Sequence, residues 1–279
     1  MVRGYWVDWP VSIPFYGELG SLNPAVVTGG AAHERAMGVG TLVANSVLKR
    51  AGQMCTKRGV VLVSESTGGD GVVLAMALTI SSHPLAELVN DTVRDQFIAG
   101  SRTLASLPGV VVRAGHLSSN GLAHEPVHSR LLEAPAPNFV DGAPLTEIFG
   151  PISLVLRYGS IDEVGRLLHS LQPALIGGIH AALHDDADAR QLVREMTPGS
   201  GRLVWNGPTT GLAVGWATHH GGGYPASTSA HSSVGPTAIR RWLRPVSFRG
   251  VPDKFLPEDL RAHSTNALMC RVDGALRNV

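Results

Sequence analysis

Apolar and polar positions follow two different periods along this chain. Apolar residues recur at helical spacing in 31–51 and 90–107, whereas continuous apolar runs occupy 60–63 and 152–158. The first pattern is typical of amphipathic helices, and the second of strands buried on both faces of a parallel sheet. The pattern also predicts helices over 71–81, 160–171 and 186–196, strands over 109–113, 174–183 and 201–206, and an edge strand over 129–133. Alternating strands and helices predict an α/β fold with a mainly parallel sheet.

Residues 207–236 break this alternation. They are dense in Gly, Thr, Ser and His, and they include the run Gly221-Gly222-Gly223. A loop of this length is either functional or mobile. A short helix over 237–243 and a strand over 244–248 are predicted to follow it.

Composition narrows the class of protein. Hydrophobic residues make up 44% and charged residues 16% of the 279 residues, which favours a globular chain with a large core. The net charge of +1 and the short Lys/Arg runs argue against a nucleic-acid partner. The longest apolar run, 71–80, is half of the ~20 residues that a membrane span needs. Two cysteines form no disulfide framework and no signal peptide is visible, so a cytoplasmic protein is expected.

Cys55 is the most informative single residue. It lies in a glycine-bounded turn, 52–59, between a predicted helix and an apolar strand, and Glu18 lies in a second glycine-containing turn, 17–24. An exposed thiol with a carboxylate as its base partner is an arrangement for covalent catalysis, and Lys57 and Arg58 could favour the thiolate. The alternative is a cysteine that serves as a small buried hydrophobic residue.

The twelve histidines offer no comparable signal. His219, His220 and His231 lie in the glycine-rich loop, and neither zinc-type spacing nor a partner motif for Cys55 is present. They are interpreted as loop or surface residues, and no metal site is predicted. Residues 68–71 (Gly-Gly-Asp-Gly) lack the pattern of a phosphate-binding loop and are interpreted as a turn.

Glu147 and Phe149 form a further candidate pair. They stand two positions apart, immediately before a Gly-Pro stop and a buried strand. A carboxylate at the carboxyl edge of a parallel sheet suits the hydroxyl groups of a ribose. The alternative is a turn that carries a core phenylalanine.

Four motifs in order along the chain resemble the signature of the aldehyde dehydrogenase superfamily. They are Glu18-Leu19-Gly20-Ser21, Gly52-Gln53-Met54-Cys55-Thr56, Glu147-Ile148-Phe149-Gly150-Pro151 and Trp205-Asn206-Gly207-Pro208. The fuller stretches 14–24, 222–226 and 242–246 are similar to one branch of it. That branch comprises the α-ketoglutaric semialdehyde (2,5-dioxovalerate) and NADP-dependent fatty aldehyde dehydrogenases.

The resemblance implies a role for each motif residue. Cys55 attacks the aldehyde carbon, its own backbone N–H helps to hold the oxyanion, and Glu18 activates the water that hydrolyses the thioester. Glu147 holds the nicotinamide-ribose hydroxyls, with Phe149 and Gly20 at the same end of the cofactor. The implied cofactor is NADP or NAD, and the implied substrate is an aldehyde of the semialdehyde type.

The resemblance also implies a division of the chain. Residues 1–12 match nothing, 13–236 form the catalytic domain with remnants of the cofactor-binding half, and 237–279 carry a helix, an oligomerisation strand and a tail. A homo-oligomer, dimer or tetramer, is expected. The family's first half, with its dinucleotide-binding strands, is missing here, and Arg58 stands where this branch usually has proline.

Three hypotheses follow from the sequence. The first is NAD(P)-dependent oxidation of an aldehyde to a carboxylate. The second is a catalytically incompetent fragment that acts at most as an assembly partner. The third is a thiol esterase that needs no cofactor, because Cys55 and Glu18 suffice for acyl transfer and hydrolysis.

Overall fold

A computed structural model describes residues 14–117, 125–140, 145–209, 211, 213–262 and 269–278 of the chain. The chain divides into two compact units, Met1–Arg241 and Trp242–Val279. The predicted unmatched segment 1–12 lies outside the described residues. Among the helices that are described, none has the length and apolar character to cross a membrane.

The first unit is built on a seven-stranded sheet. Its strands are β1 Ala25–Val27, β2 Val60–Ser64, β3 Val111–Ala114, β4 Arg130–Pro135, β5 Ile152–Tyr158, β6 Gly177–His180 and β7 Leu203–Trp205. Their spatial order is β3-β4-β5-β2-β1-β6-β7. All neighbours pair in parallel except β3 with β4, which confirms the predicted α/β class.

Six α-helices accompany the sheet in the part of the chain that the structure describes. They are α1 Gly29–Leu48, α2 Thr67–Ser81, α3 Asp91–Ala105, α4 Pro137–Val140, α5 Ile161–Ser170 and α6 Asp186–Met196. Four of them begin at a polar residue whose side chain accepts from a backbone N–H of the first turn: Thr28, Ser66, Asn90 and Ser160. Such N-caps satisfy donors that have no partner inside the helix, so the starts of these helices are encoded locally.

The core lies on both faces of the sheet, because side chains alternate along each strand. Val26, Leu62 and Leu154 pack with residues of α3, α5 and α6, such as Phe97 and Leu167. Their neighbours on the same strands point the other way and pack against α1 and α2. The sheet is therefore the middle layer of three.

The packing of α1 on α2 depends on glycine. A Cβ on Gly40 would lie 2.5 Å from the carbonyl oxygen of Val72, and one on Gly68 would lie 2.7 Å from the backbone of Ala32. Residues 68–71 therefore belong to the first turns of α2, and their interpretation as a turn is wrong. The glycines are there because the two helices approach too closely for side chains. Gly38, by contrast, faces open space.

The strands of the structure differ from the predicted ones at several places. The strand predicted at 129–133 is β4, and it lies between β3 and β5 rather than at the edge. The short central strand β1 was not predicted at all. Residues 244–248 pair with no strand among the described residues of the chain, and a pairing across subunits remains a prediction. In the second unit, β8 Met269–Val272 and β9 Ala275–Asn278 form a hairpin that the sequence pattern did not predict.

Candidate active site

Cys55 lies in a tight turn at the entrance to β2. The turn is closed by a hydrogen bond from Lys57 N to Met54 O at 3.0 Å, and the thiol is exposed. The buried amide of Asn23 anchors the turn, because its Nδ2 donates to Cys55 O at 2.8 Å and to Lys57 O at 3.0 Å. Asn23 itself has φ 49°, a left-handed conformation that asparagine tolerates better than most residues. The catalytic-looking turn is thus held by a side chain 32 residues upstream.

The side chains of Lys57 and Arg58 form hydrogen bonds with backbone carbonyls and not with the thiol of Cys55. Lys57 is buried, its Nζ donates to the carbonyls of Ile148 and Ile152, and burial lowers its pKa to about 8. Arg58 is also buried, and its Nη1 donates to carbonyls at the start of β1, among them Pro24 O at 2.9 Å. Both side chains join neighbouring loops to the turn, so the expectation that they favour the thiolate is not supported.

His220 is the residue that does meet the thiol. Its Nε2 lies 3.4 Å from Cys55 Sγ and 3.5 Å from Glu18 Oε1. His220 does lie in the predicted loop, but its side chain is only 10% exposed and contacts the thiol, which no motif in the sequence indicated. The only sequence signal was its place in a long loop, which is itself a common mark of function.

The backbone of His220 is held by hydrogen bonds at both its N–H and its carbonyl group. Ser232 Oγ accepts from His220 N at 2.9 Å, and Ser233 N donates to His220 O at 2.8 Å. Ser233 Oγ also donates to Glu18 Oε1 at 3.0 Å. The loop 207–236 therefore positions both the imidazole and the carboxylate.

The segment of Glu18 is tied to the same loop through its backbone. Gly17 N donates to Thr228 Oγ1 at 2.8 Å, and Thr228 N donates to Gly17 O at 3.0 Å. Leu19 N donates to Pro225 O at 3.3 Å. These bonds bracket Glu18 and join it to residues more than 200 positions away.

Contacts at this point change the pKa values of His220 and Glu18. The hydrogen bond with Cys55 is the largest cause that raises the pKa of His220 from 6.5 to about 9, and the hydrogen bond with Glu18 is the second. Burial acts in the opposite direction. The hydrogen bond with His220 lowers the pKa of Glu18 below its ordinary value, again against burial. At neutral pH the imidazole is therefore cationic and Glu18 anionic.

These shifts predict how stability depends on pH. The pKa of His220 is higher in the folded chain, so its interactions stabilise fully below about pH 6.5 and are lost as pH rises through about 9. We expect wild type to exceed His220→Gln in free energy of unfolding by about 2 kcal/mol at pH 6, with the difference shrinking towards pH 9.5. Urea denaturation of both proteins across this range measures it. A difference that stays constant with pH would contradict the assignment.

Glu147 and Gly20 lie side by side in the same region of the structure as Glu18 and Cys55. Ser21 N donates to Glu147 Oε2 at 2.9 Å, and a Cβ on Gly20 would lie 3.4 Å from the same oxygen. Burial raises the pKa of Glu147, while the bond from Ser21 and the charge of Lys57 oppose that rise. Phe149 is 40% exposed, so its ring is available for contact.

One cleft of about 740 Å³ brings the predicted site residues together. Its lining includes Glu18, Gly20, Cys55, Glu147 and Phe149. It lies at the amino ends of β1, β2 and β5, because each of these residues precedes its strand. The expectation that Glu147 stands at a carboxyl edge is wrong, since its loop enters a strand rather than leaving one. Its lining also includes Gln172, Pro173, Tyr224 and Pro225.

Comparison with known proteins shows which family the chain resembles. The chain is 34% identical over 276 residues to α-ketoglutaric semialdehyde dehydrogenase 2 of Azospirillum brasilense, which covers 95% of this chain and 50% of that protein. It is 30% identical over 274 residues to α-ketoglutaric semialdehyde dehydrogenase of Acinetobacter baylyi, covering 96% and 51%. The chain is thus similar to the aldehyde dehydrogenase superfamily over nearly its whole length. It spans about half the length of the curated relatives it matches.

Solved structures of aldehyde dehydrogenases share the fold of this chain. The Δ¹-pyrroline-5-carboxylate dehydrogenase of Mycobacterium tuberculosis, bound with NAD, superposes with a TM-score of 0.67 at 15% identity, covering 81% of this chain and 41% of that one. The NAD⁺ complex of a Bacillus cereus aldehyde dehydrogenase gives 0.65 at 19%, covering 81% and 44%. No family model matches the sequence.

Proposed function

We propose that this chain takes part in oxidising an aldehyde to a carboxylate, with Cys55 as the nucleophile. The observation that carries the proposal is the meeting of Cys55 Sγ, His220 Nε2 and Glu18 Oε1 beside one cleft. Nucleophilic catalysis needs an activated thiol, and hydrolysis of the acylated thiol needs a base. The imidazole of His220 and the carboxylate of Glu18 each have an atom within 4.8 Å of the sulfur.

The first chemical step belongs to Cys55 and His220. The sulfur forms a bond to the aldehyde carbon, and the carbonyl oxygen takes the negative charge. The thiolate is the attacking form of a cysteine, and the cationic imidazole of His220 lies 3.4 Å from the sulfur. Backbone N–H groups of the Cys55 turn are the donors for the oxyanion. The product is a thiohemiacetal on Cys55.

Glu147 and Phe149 fit the nicotinamide end of a dinucleotide. The carboxylate of Glu147 lines the cleft as an acceptor for ribose hydroxyls, and the half-exposed ring of Phe149 offers a packing surface next to it. When bound, NAD or NADP accepts the hydride whose removal converts the thiohemiacetal into a thioester. Gly20 lies directly beside the Glu147 carboxylate, since a Cβ on it would be in van der Waals contact with Oε2 at 3.4 Å.

Glu18 completes the cycle as the general base. Its carboxylate takes a proton from water, the resulting hydroxide attacks the thioester carbon, and the sulfur leaves with its electron pair. The hydrogen bonds from Ser233 and His220 keep Glu18 anionic and orient it towards the sulfur. The carboxylic acid product then leaves the cleft.

The finer assignments rest on the relatives. We propose a semialdehyde as the substrate, with 2,5-dioxovalerate first, because the two relatives that match at least 95% of this chain are named for α-ketoglutaric semialdehyde. We also propose a homo-oligomer in the cytoplasm, in which residues 244–248 pair with a second copy, because this segment has no strand partner among the described residues of its own chain.

Ester hydrolysis without a cofactor is a second candidate. It is favoured by the contact between thiol, imidazole and carboxylate, which the chain forms by itself. The geometry differs from a hydrolase triad, where the carboxylate contacts the ring nitrogen that is remote from the nucleophile. Here Cys55 and Glu18 face the same nitrogen, which suits separate roles in acylation and hydrolysis.

The decisive experiment combines cofactor binding with turnover. We expect calorimetric titration to show NADP⁺ or NAD⁺ binding in the micromolar range, and 2,5-dioxovalerate to drive nicotinamide reduction that Cys55→Ala lowers at least ~10³-fold. Cys270→Ala, which removes the other thiol, serves as the matched control. Ester hydrolysis without nucleotide binding would favour the second candidate. Silence in both assays would identify a non-catalytic assembly partner.

A further inference from the structure

Glu18, Cys55 and His220 bring three kinds of metal ligand to one point. One oxygen, one sulfur and one nitrogen all lie within 4.8 Å of one another. Among the residues that the structure describes, this is the one group of three such side chains found with that spacing. Carboxylate, thiolate and imidazole are the ligands that Zn²⁺ combines in proteins.

The spacing matches the edges of a zinc tetrahedron. Bonds of about 2.3 Å to sulfur and about 2.05 Å to nitrogen place those atoms about 3.6 Å apart at a tetrahedral angle, and nitrogen and oxygen about 3.4 Å apart. The observed separations are 3.4 Å between Cys55 Sγ and His220 Nε2, and 3.5 Å between His220 Nε2 and Glu18 Oε1. Two of the three edges therefore match, and the third, between Cys55 Sγ and a Glu18 carboxylate oxygen, joins atoms that lie within 4.8 Å of each other.

Neighbouring groups hold the ligands in place. Ser233 Oγ donates to Glu18 at 3.0 Å, and the backbone of His220 is fixed by Ser232 and Ser233. Such outer contacts orient metal ligands and raise affinity. Cys55 and Glu18 both line the cleft, so water can supply a fourth ligand from that side.

We propose that Glu18, Cys55 and His220 form a binding site for a thiophilic divalent cation, with Zn²⁺ as the best fit. Three protein ligands and one water complete the tetrahedron. The cation replaces any protons on the thiol and on the ring nitrogen, and these go to solvent. Its bond to sulfur occupies the electron pair that attacks a carbonyl carbon, so occupancy inhibits every reaction of Cys55. Only this inhibition rests on the proposed function.

Titration of the full reduced chain with Co²⁺ tests the site directly. We expect one Co²⁺ per chain, with a sulfur-to-cobalt charge-transfer band and the visible bands of tetrahedral cobalt, both removed by added Zn²⁺. Cys55→Ala should abolish the charge-transfer band, and His220→Ala and Glu18→Gln should each weaken binding by at least ~100-fold. Wild type alkylated at Cys55 provides a second, unmutated test of the sulfur ligand.

Two control variants separate this site from other candidates. Cys270→Ala removes the other thiol, and His184→Ala removes an exposed histidine that lies 3.3 Å from Glu34. Both should leave the titration unchanged. A charge-transfer band that survives Cys55→Ala, or no band at millimolar Co²⁺, would overturn the proposal. Cobalt binding by a chain without aldehyde or ester activity would keep the metal site and refute the proposed function.

Discussion

We expect Cys55→Ala to remove the initial burst of product that the wild-type chain should release from an activated ester, and Glu18→Gln to keep the burst while slowing steady turnover by about 100-fold. The reason is the division of labour at the site. Cys55 is acylated with release of one leaving group per chain, and Glu18 activates the water that removes the acyl group. Stopped-flow absorbance with a p-nitrophenyl ester measures both phases.

His220 adds a second distinction to this experiment. Because its Nε2 lies 3.4 Å from the sulfur, His220→Gln should slow the burst itself by about 100-fold. Cys270→Ala should behave as wild type in both phases. A full burst in Cys55→Ala would show that another group is acylated, and equal slowing of both phases in Glu18→Gln would remove the separate role of the carboxylate.

We expect Gly52→Ala to lower the free energy of unfolding by about 4 kcal/mol, because backbone strain and overpacking act together. Gly52 has φ 66°, a conformation that disfavours any side chain. A Cβ there would lie 2.2 Å from Gly150 O and 2.3 Å from Gly150 C, and these are backbone atoms that cannot rotate away. Urea denaturation measures the loss.

Gly38→Ala is the matched control for this substitution. Gly38 lies within α1, and a Cβ there meets nothing within 4 Å, so alanine should stabilise the chain by about 0.5–1 kcal/mol. The contact of Gly52 with Gly150 also joins the Cys55 turn to the loop of Glu147 and Phe149. A Gly52→Ala chain as stable as wild type would therefore contradict the packing between these two loops.

Local sequence carried most of the helices and strands. Ile152–Tyr158 has the bounds that its apolar run predicts, and the helix after Ser160 begins where the capping residue places it. These elements are legible because their signals lie within one continuous stretch. The three-residue strand β1 was missed because so short a run carries no period, and its central place comes from pairing with β2 and β6.

The candidate site divides in the same way. Cys55, Glu18, Glu147, Phe149 and Gly20 could be named from their motifs, and the structure places all of them on one cleft. Their position at the amino ends of the strands could not be named, because it depends on which loops meet when the sheet assembles.

The sequence by itself determined the α/β class, the family motifs and the identity of the thiol and the carboxylate, since these are written in short contiguous stretches. Tertiary structure alone decided that His220, 165 positions from Cys55, contacts the sulfur. It also decided that Asn23 holds the cysteine turn and that Lys57 and Arg58 point away from it. These contacts form between distant segments whose approach is set by packing and hydrogen bonding of the whole sheet, so no local pattern encodes them.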